Sequence, residues 1–242
     1  MKRNIILGAV ILTASSFIAV GAAVDEVKSA IKNLADKPNY SWTTTVKSGG
    51  GQPGRFAPGP TEGKTEKGGI TYLTMTRGDQ KTEALVKGAK SVVKTQDGWQ
   101  ETAAPGAGGQ PGGRGQRGAF MGRMLQNYKV PSVQAEELIS KVKELKKDGD
   151  AYIGELTEDG VKQLLMPGGG RGGQNAPTPA NAKGTVKFWV KDGVLVKYEF
   201  NVQGTMTFNN NDINIDRTTT VEIKDIGTTK IDVPDEAKQK LS

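Results

Sequence analysis

Two stretches near the C-terminus alternate strictly between apolar and polar positions. In "VLVKYEFNV", Val194, Val196, Tyr198, Phe200 and Val202 share one face, with Lys197, Glu199 and Asn201 opposite. In "INIDRTTTVEI", Ile213, Ile215, Val221 and Ile223 lie on one side, and Asn214, Asp216, Thr218, Thr220 and Glu222 on the other. A period of two predicts strands with one covered and one wet face. Tight turns separate the strands. Asp192-Gly193 joins "TVKFWV" to "VLVKYEF", because Asp-Gly accepts the positive φ angles of a two-residue hairpin. "QDG" before Trp99, "KGAK" at 87–90 and Asp79 after "RG" predict three more hairpins.

Helical periodicity is rarer. "VDEVKSAIKNLAD" places Val24, Val27, Ile31 and Leu34 on one stripe that ends at Pro38. "SVQAEELISKVKELKKDG" predicts a helix with Ser132 as N-cap, Glu136 near the capping-box position, a stripe of Leu138, Val142 and Leu145, and an end at Gly149. "FMGRMLQNY", "TEDGVKQLLM" and the terminal "PDEAKQKL" read as short helices. Strands on both sides of a helical insert predict an α+β chain, not an alternating Rossmann order. Three stretches interrupt the pattern, at 48–69, 102–118 and 167–184. All are rich in Gly, Pro and Gln, and too poor in apolar side chains to offset the roughly 1–2 kcal/mol per residue that ordering costs. They are expected to be disordered loops.

The N-terminus changes the setting. "MKR", an apolar run through Ala23 and the small residues Gly21-Ala22-Ala23 fit a secretory signal over residues 1–23, cleaved near Ala22 or Ala23. Residues 24–242 are then one exported domain, periplasmic or extracellular, with no transmembrane span after cleavage. The alternative is an uncleaved anchor, since the run reaches about the minimum spanning length. The chain has no cysteine, which excludes disulfides and a lipid-modified N-terminal cysteine. Lys plus Arg total 33 against 26 Asp plus Glu, a formal charge of +7 that includes Lys2 and Arg3 of the leader. So mild a basic excess suits an anionic envelope surface as well as a nucleic acid.

With no histidine and no cysteine, Ser-His-Asp and Cys-His catalysis and the usual His/Cys metal sites are excluded. The remaining motif matches are weak. "SVVK" at 91–94 and "SAIK" at 29–32 have Ser-x-x-Lys spacing, but no "SDN" or "KTG" follows. "GPTEGKT" at 59–65 is one residue short of a phosphate loop. "DINID" offers Asp212, Asn214 and Asp216, but Arg217 and Ile223 stand where a calcium loop needs Gly and Glu. No catalytic residue, metal or cofactor is assigned. Arg114, Arg117 and Arg171 in the glycine-rich loops lack the interleaved aromatic residues that base stacking requires, and export removes the chain from cytoplasmic nucleic acid. They are expected to be solvated linker residues or contacts for anionic head groups or surface polymers.

One longer pattern resembles a known family. "TVKFWVKDGVLVKYEFNV" followed by "TTTVEIKDIGTTKIDVPDEA" is similar to the closing strands of the LolA/LppX-like envelope carriers. The matching positions are Val186, Trp189, Val190, Asp192, Gly193, Lys197, Asp225, Ile226, Gly227, Ile231 and Pro234. The resemblance covers residues 184–238, and the earlier order of elements fits in outline. It implies a strongly curved antiparallel half-barrel covered by short helices, with an apolar cavity for acyl chains. The implied function is a non-catalytic envelope protein that holds a lipid or other amphiphile, with an envelope lipoprotein as a further partner. Tyr72, Met75, Trp99, Met121, Met124, Leu125, Leu165 and Met166 are the candidate ligand-binding residues, several of them soft enough to fill irregular space. Ordinary core is the other reading of each. The competing class is a structural or interaction protein whose half-barrel is packed solid and whose Arg/Gly-rich loops contact anionic surfaces.

Overall fold

The structure is a computed structural model that describes residues 20–49, 59–102, 121–166, 178–208 and 211–242. A helix, α1 (Val20–Ala35), leads into a six-strand meander. Its strands are β1 (Asn39–Ser48), β2 (Thr61–Glu66), β3 (Ile70–Arg77), β4 (Gln80–Lys87), β5 (Lys90–Thr95) and β6 (Gly98–Glu101). Two short helices follow, α2 (121–126) and α3 (Pro131–Ser140). Then come β7 (Val142–Asp148), β8 (Ala151–Leu156), α4 (Glu158–Leu165), β9 (Ala180–Lys191), β10 (Val194–Phe208), β11 (Asn211–Lys224) and α5 (Asp235–Lys240).

All eleven strands form one antiparallel sheet in the order β6-β5-β4-β3-β2-β1-β11-β10-β9-β8-β7. The sheet is open, an α+β half-barrel with few and short helices. Its two edges, β6 and β7, are neighbours in sequence, so the chain between them must pass from one edge to the other. Ten strand spacings of about 4.8 Å make a flat sheet roughly 48 Å wide. The crossing segment carries α2 and α3, and both pack on the apolar face that the sheet presents to them.

That inner face is the main core. Trp42, Leu73, Ala84, Val186, Phe188, Tyr198, Phe200, Val202, Val221 and Ile223 project from it against Val27, Ile31 and Leu34 of α1, Leu138 and Ile139 of α3, and Val161 and Leu165 of α4. A second, smaller core lies on the outer face, where Leu85, Val92 and Trp99 pack under Ala237 of α5 and its neighbours Val233 and Leu241. The period-two rule accounts for the split. Tyr72, Leu85 and Val92 are cross-strand partners, and so are Leu73, Ala84 and Val93 one position along.

The four expected hairpins are present, with β9 and β10 joined by Asp192 at φ 50° and Gly193 at φ 70°. The residues that carry the family resemblance hold this region together. Trp189 pairs across the strands with Lys197, whose ammonium lies 5.0 Å over its ring. Asp225, at φ 50°, accepts a 2.6 Å hydrogen bond from Ser41, and Gly227 donates to the carbonyl of Asn39. Trp189, Lys197, Asp225 and Gly227 thus tie neighbouring strands and turns together, while Val186 projects into the inner core.

The sequence expectations need correction at several places. The helix expected from Ser132 to Gly149 ends at Ser140, and its second half is β7. Its N-cap is Val130 with Pro131 at the first turn, while Ser132 is buried. The stripe Leu138, Val142 and Leu145 suits a helix, but β8 requires a partner. Pairing with it buries Leu145 fully, which outweighs the local preference of a Lys/Glu-rich segment. In β10 a bulge between Leu195 and Lys197 shifts the alternation. Leu195 is therefore fully buried, while Val194 and Val196 are only partly covered. Of the three Gly/Pro-rich stretches, the first contains β2 at Thr61–Glu66 and the third runs into β9 from Ala180. Their remaining portions fall mostly outside the described residues.

Candidate functional site

Three aromatic side chains of the inner face reach the crossing segment through polar links. Tyr40 shares a 3.2 Å hydrogen bond with the Ser132 hydroxyl. Trp42 Nε1 donates to the Tyr128 hydroxyl at 3.1 Å, with the two rings stacked at 6.4 Å. The Tyr198 hydroxyl donates to Gln134 Oε1 at 2.6 Å. Each link satisfies a polar group that would otherwise be costly to bury, so together they fix where α3 sits on the sheet.

Burial acts on the phenols. It raises the pKa of Tyr40, pushes Tyr128 up to about 12, and lifts Tyr198 well above the usual tyrosine range. The unfolded chain ionises near pH 10, whereas these folded-state groups hold their protons to higher pH. Stability from this cluster is therefore complete below pH 10 and is lost as pH rises towards 12. Tyr128 alone accounts for about 2–3 kcal/mol on this reasoning. Urea unfolding at pH 8 and pH 11.5 is expected to show that fall. In the Tyr128→Phe variant the fall should be smaller; an equal fall would show that Tyr128 is not its source.

Cover over the inner face is uneven. α1 and α4 pack on β7, β9 and β10, where Leu34, Leu145, Phe188 and Tyr198 are fully buried. Over β3 to β5 the face is edged by Met75, Val86 and Val93 of the sheet and Met121 and Met124 of α2. All five are only partly buried, while Leu125, Leu73 and Ala84 are fully buried beneath them. Four of the eight candidate ligand-binding residues, Met75, Met121, Met124 and Leu125, thus belong to or border the main inner core.

Of the other four, Leu165 packs over Gly204 of β10 from the end of α4, and Met166 is the partly buried residue that follows it. Tyr72 and Trp99 belong to the outer core. The backbone N–H of Trp99 donates to Glu236 at 3.1 Å and its carbonyl accepts from Lys240, so Trp99 anchors α5. Arg114, Arg117 and Arg171 fall outside the described residues. A cleft of about 200 Å3 near β6 is lined mainly by polar side chains, among them Lys90, Ser91, Glu101, Thr102, Gln126 and Lys240.

The rejected motifs are explained by their surroundings. Asp212, Asn214 and Asp216 accept hydrogen bonds from Thr207, Thr205 and Asn201 along the wet face of the β10–β11 hairpin. Ser91 is bonded to Thr102, and Lys94 pairs with Glu83. Among the described residues no group of three acidic side chains could hold a metal ion, and no helix is long and apolar enough to cross a membrane.

One residue of the inner face was missed. Arg217 lies opposite Val202 on β10 and Ser48 on β1, in the same row as Ile215, Thr219 and Val221. It is half-buried, and burial lowers its pKa. Its alternation with Val221 and Ile223 was the available signal.

No family model and no curated protein matches the chain. Solved structures do. The chain is similar to the Mycobacterium tuberculosis lipoprotein LppX at 12% identity and a TM-score of 0.48, over 88% of this chain and 99% of that one. It is similar to LprF from Mycobacterium bovis at 11% identity and a TM-score of 0.47, over 90% and 99%. It is also similar to a LolA superfamily protein, NE2245 from Nitrosomonas europaea, at 11% identity and a TM-score of 0.33, over 90% and 96%.

Proposed function

We propose that this is an exported, non-catalytic binding protein that holds a hydrophobic or amphiphilic, lipid-like ligand against the inner face of its half-barrel. The observation that carries this reading is the partly buried apolar fringe of Met75, Val86, Val93, Met121 and Met124. All five lie on strands or on α2, and each is left only partly buried against the main core. Three are methionines, whose unbranched side chains adapt to a chain of variable shape. Binding would draw on about 25 cal/mol per Å2 of apolar surface covered. The leader-like N-terminus supports export. Native mass spectrometry of the exported protein, gently purified, is expected to show an additional lipid mass. A ligand-free protein that also fails to take up added amphiphile would overturn the reading.

A structural or interaction protein is the second reading, favoured by the β7–β11 half, where α1, α3 and α4 fill the inner face with fully buried side chains. Under it, the methionine fringe is simply the thin edge of a solid core, and no amphiphile binds.

A further inference from the structure

The odd-numbered residues of β11 form one row on the inner side, running from the exposed Ile213 through the half-buried Ile215 and Arg217 to the buried Thr219, Val221 and Ile223. Arg217 is the cation in that row. It faces the fully buried Val202, and its Nη2 donates 2.9 Å to the carbonyl of Leu164 in the last turn of α4. That is its one hydrogen-bond acceptor among the described residues, although a guanidinium has five N–H donors.

No carboxylate among the described residues forms an ion pair with Arg217, although exposed lysines such as Lys94, Lys129 and Lys238 all have one. Asp216, its neighbour, is turned to the wet face and held by Asn201. The segments outside the described residues contain no Asp or Glu, so no acidic side chain of this chain is left to pair with it. The pattern inverts the usual economy, in which a cation removed from water is the one that acquires a counter-charge. A helix C-terminus supplies only a partial negative charge to one edge of the fork.

We propose that Arg217 receives the anionic head group, carboxylate or phosphate, of an amphiphile whose chain lies along the inner face. The inference rests on the binding function above and adds the class of ligand and the residue that reads it. From Val221, which shares a row with Thr44, Thr61 and Met75, Arg217 is four residues along the strand. Three strand spacings and four residues place it on the order of 20 Å from the methionine fringe, measured over the sheet. The two ends of the site would then bind chemically different ends of one molecule. Arginine suits the task because its planar fork meets carboxylate and phosphate oxygens in pairs.

The test is calorimetric titration of the full mature chain with dodecyl phosphate, dodecanol and inorganic phosphate. Dodecyl phosphate is expected to bind about 10- to 100-fold more tightly than dodecanol, the range of one charge-assisted pair. In Arg217→Gln that preference should vanish while dodecanol affinity stays unchanged, which also shows that the variant is folded. Arg217→Lys should keep part of the preference, having the charge without the fork. Equal binding of the two dodecyl ligands to the wild type would overturn the head-group assignment and leave the binding function standing. So would a preference that survives Arg217→Gln, or a loss of both ligands in a folded Arg217→Gln, which would mark Arg217 as a cap of α4 only. Inorganic phosphate binding as tightly as dodecyl phosphate would replace the head group with a free anion. If neither dodecyl ligand binds the wild type, the binding function itself fails.

Discussion

Trp42→Ala is expected to cost about 3–5 kcal/mol of stability, as truncation of a buried aromatic does, and Gly63→Ala about 1–3 kcal/mol, as overpacking does. The second figure has the opposite sign from the usual one. Alanine in place of a strand glycine normally helps by roughly 0.5–1 kcal/mol, because it restricts the unfolded chain. Gly63 has an ordinary backbone conformation, so strain in φ is not the cause. Its place is beneath the indole. Gly63 is the cross-strand partner of Trp42, and a Cβ built on it would overlap Cζ2 and Cε2 of that ring. The ring cannot swing aside freely, since its Nε1 is held by Tyr128 and it packs against Tyr40 and Tyr128. At about 2–4 °C per kcal/mol for a domain of this size, Trp42→Ala should lower the melting temperature by roughly 10 °C. The pair gives its own control: in a Trp42→Ala background, Gly63→Ala should become neutral or helpful, a coupling that a double-mutant cycle measures directly. A neutral Gly63→Ala in the wild type would show that the indole does not lie on Gly63.

The sequence made some of this visible and hid the rest, for reasons that lie in particular residues. Long strands were readable because β10 and β11 keep one wet face, so Tyr198, Phe200 and Val202 stand out against Lys197, Glu199 and Asn201. Hairpins were readable because a turn is local and Asp192-Gly193 can do little else. Whatever depended on a distant partner was not. Val142 to Asp148 reads as helix until β8 is beside it, and the bulge at Leu195 reflects pairing with β9, which no window of sequence contains. β2 has a poor strand composition, "TEGKTE", yet its one glycine lies under Trp42.

The candidate site divides along the same line. Met121, Met124 and Leu125 fall on one short helix and, like Met75, join the inner core, as their apolar character anticipated. Tyr72 and Met75 are three residues apart in a strand and must face opposite ways, so parity alone separates them. Arg217 was passed over because a charge in a strand is first read as a wet-face residue. Its register with Val221 places it among the covered ones.

Deleting residues 234–242 is expected to unfold one end of the sheet and spare the other. Ala237 and Leu241 cover Leu85, Val92 and Trp99 on the outer face, where no other helix packs among the described residues. Glu236 and Lys240 also hold the backbone N–H and C=O of Trp99 in β6, an edge strand whose one strand neighbour is β5 among the described residues. Exposing a tryptophan and its apolar neighbours forfeits about 3–5 kcal/mol. The loss is confined because the outer core shares no buried side chain with the inner one. Hydrogen exchange should therefore show loss of amide protection in β4 to β6, with β8 to β11 close to the full-length values, since local stability follows local burial. Equal loss across all eleven strands would mean that the two cores fold as one unit and that α5 secures the whole sheet. Unchanged protection in β6 would mean that α5 contributes nothing to the edge it covers.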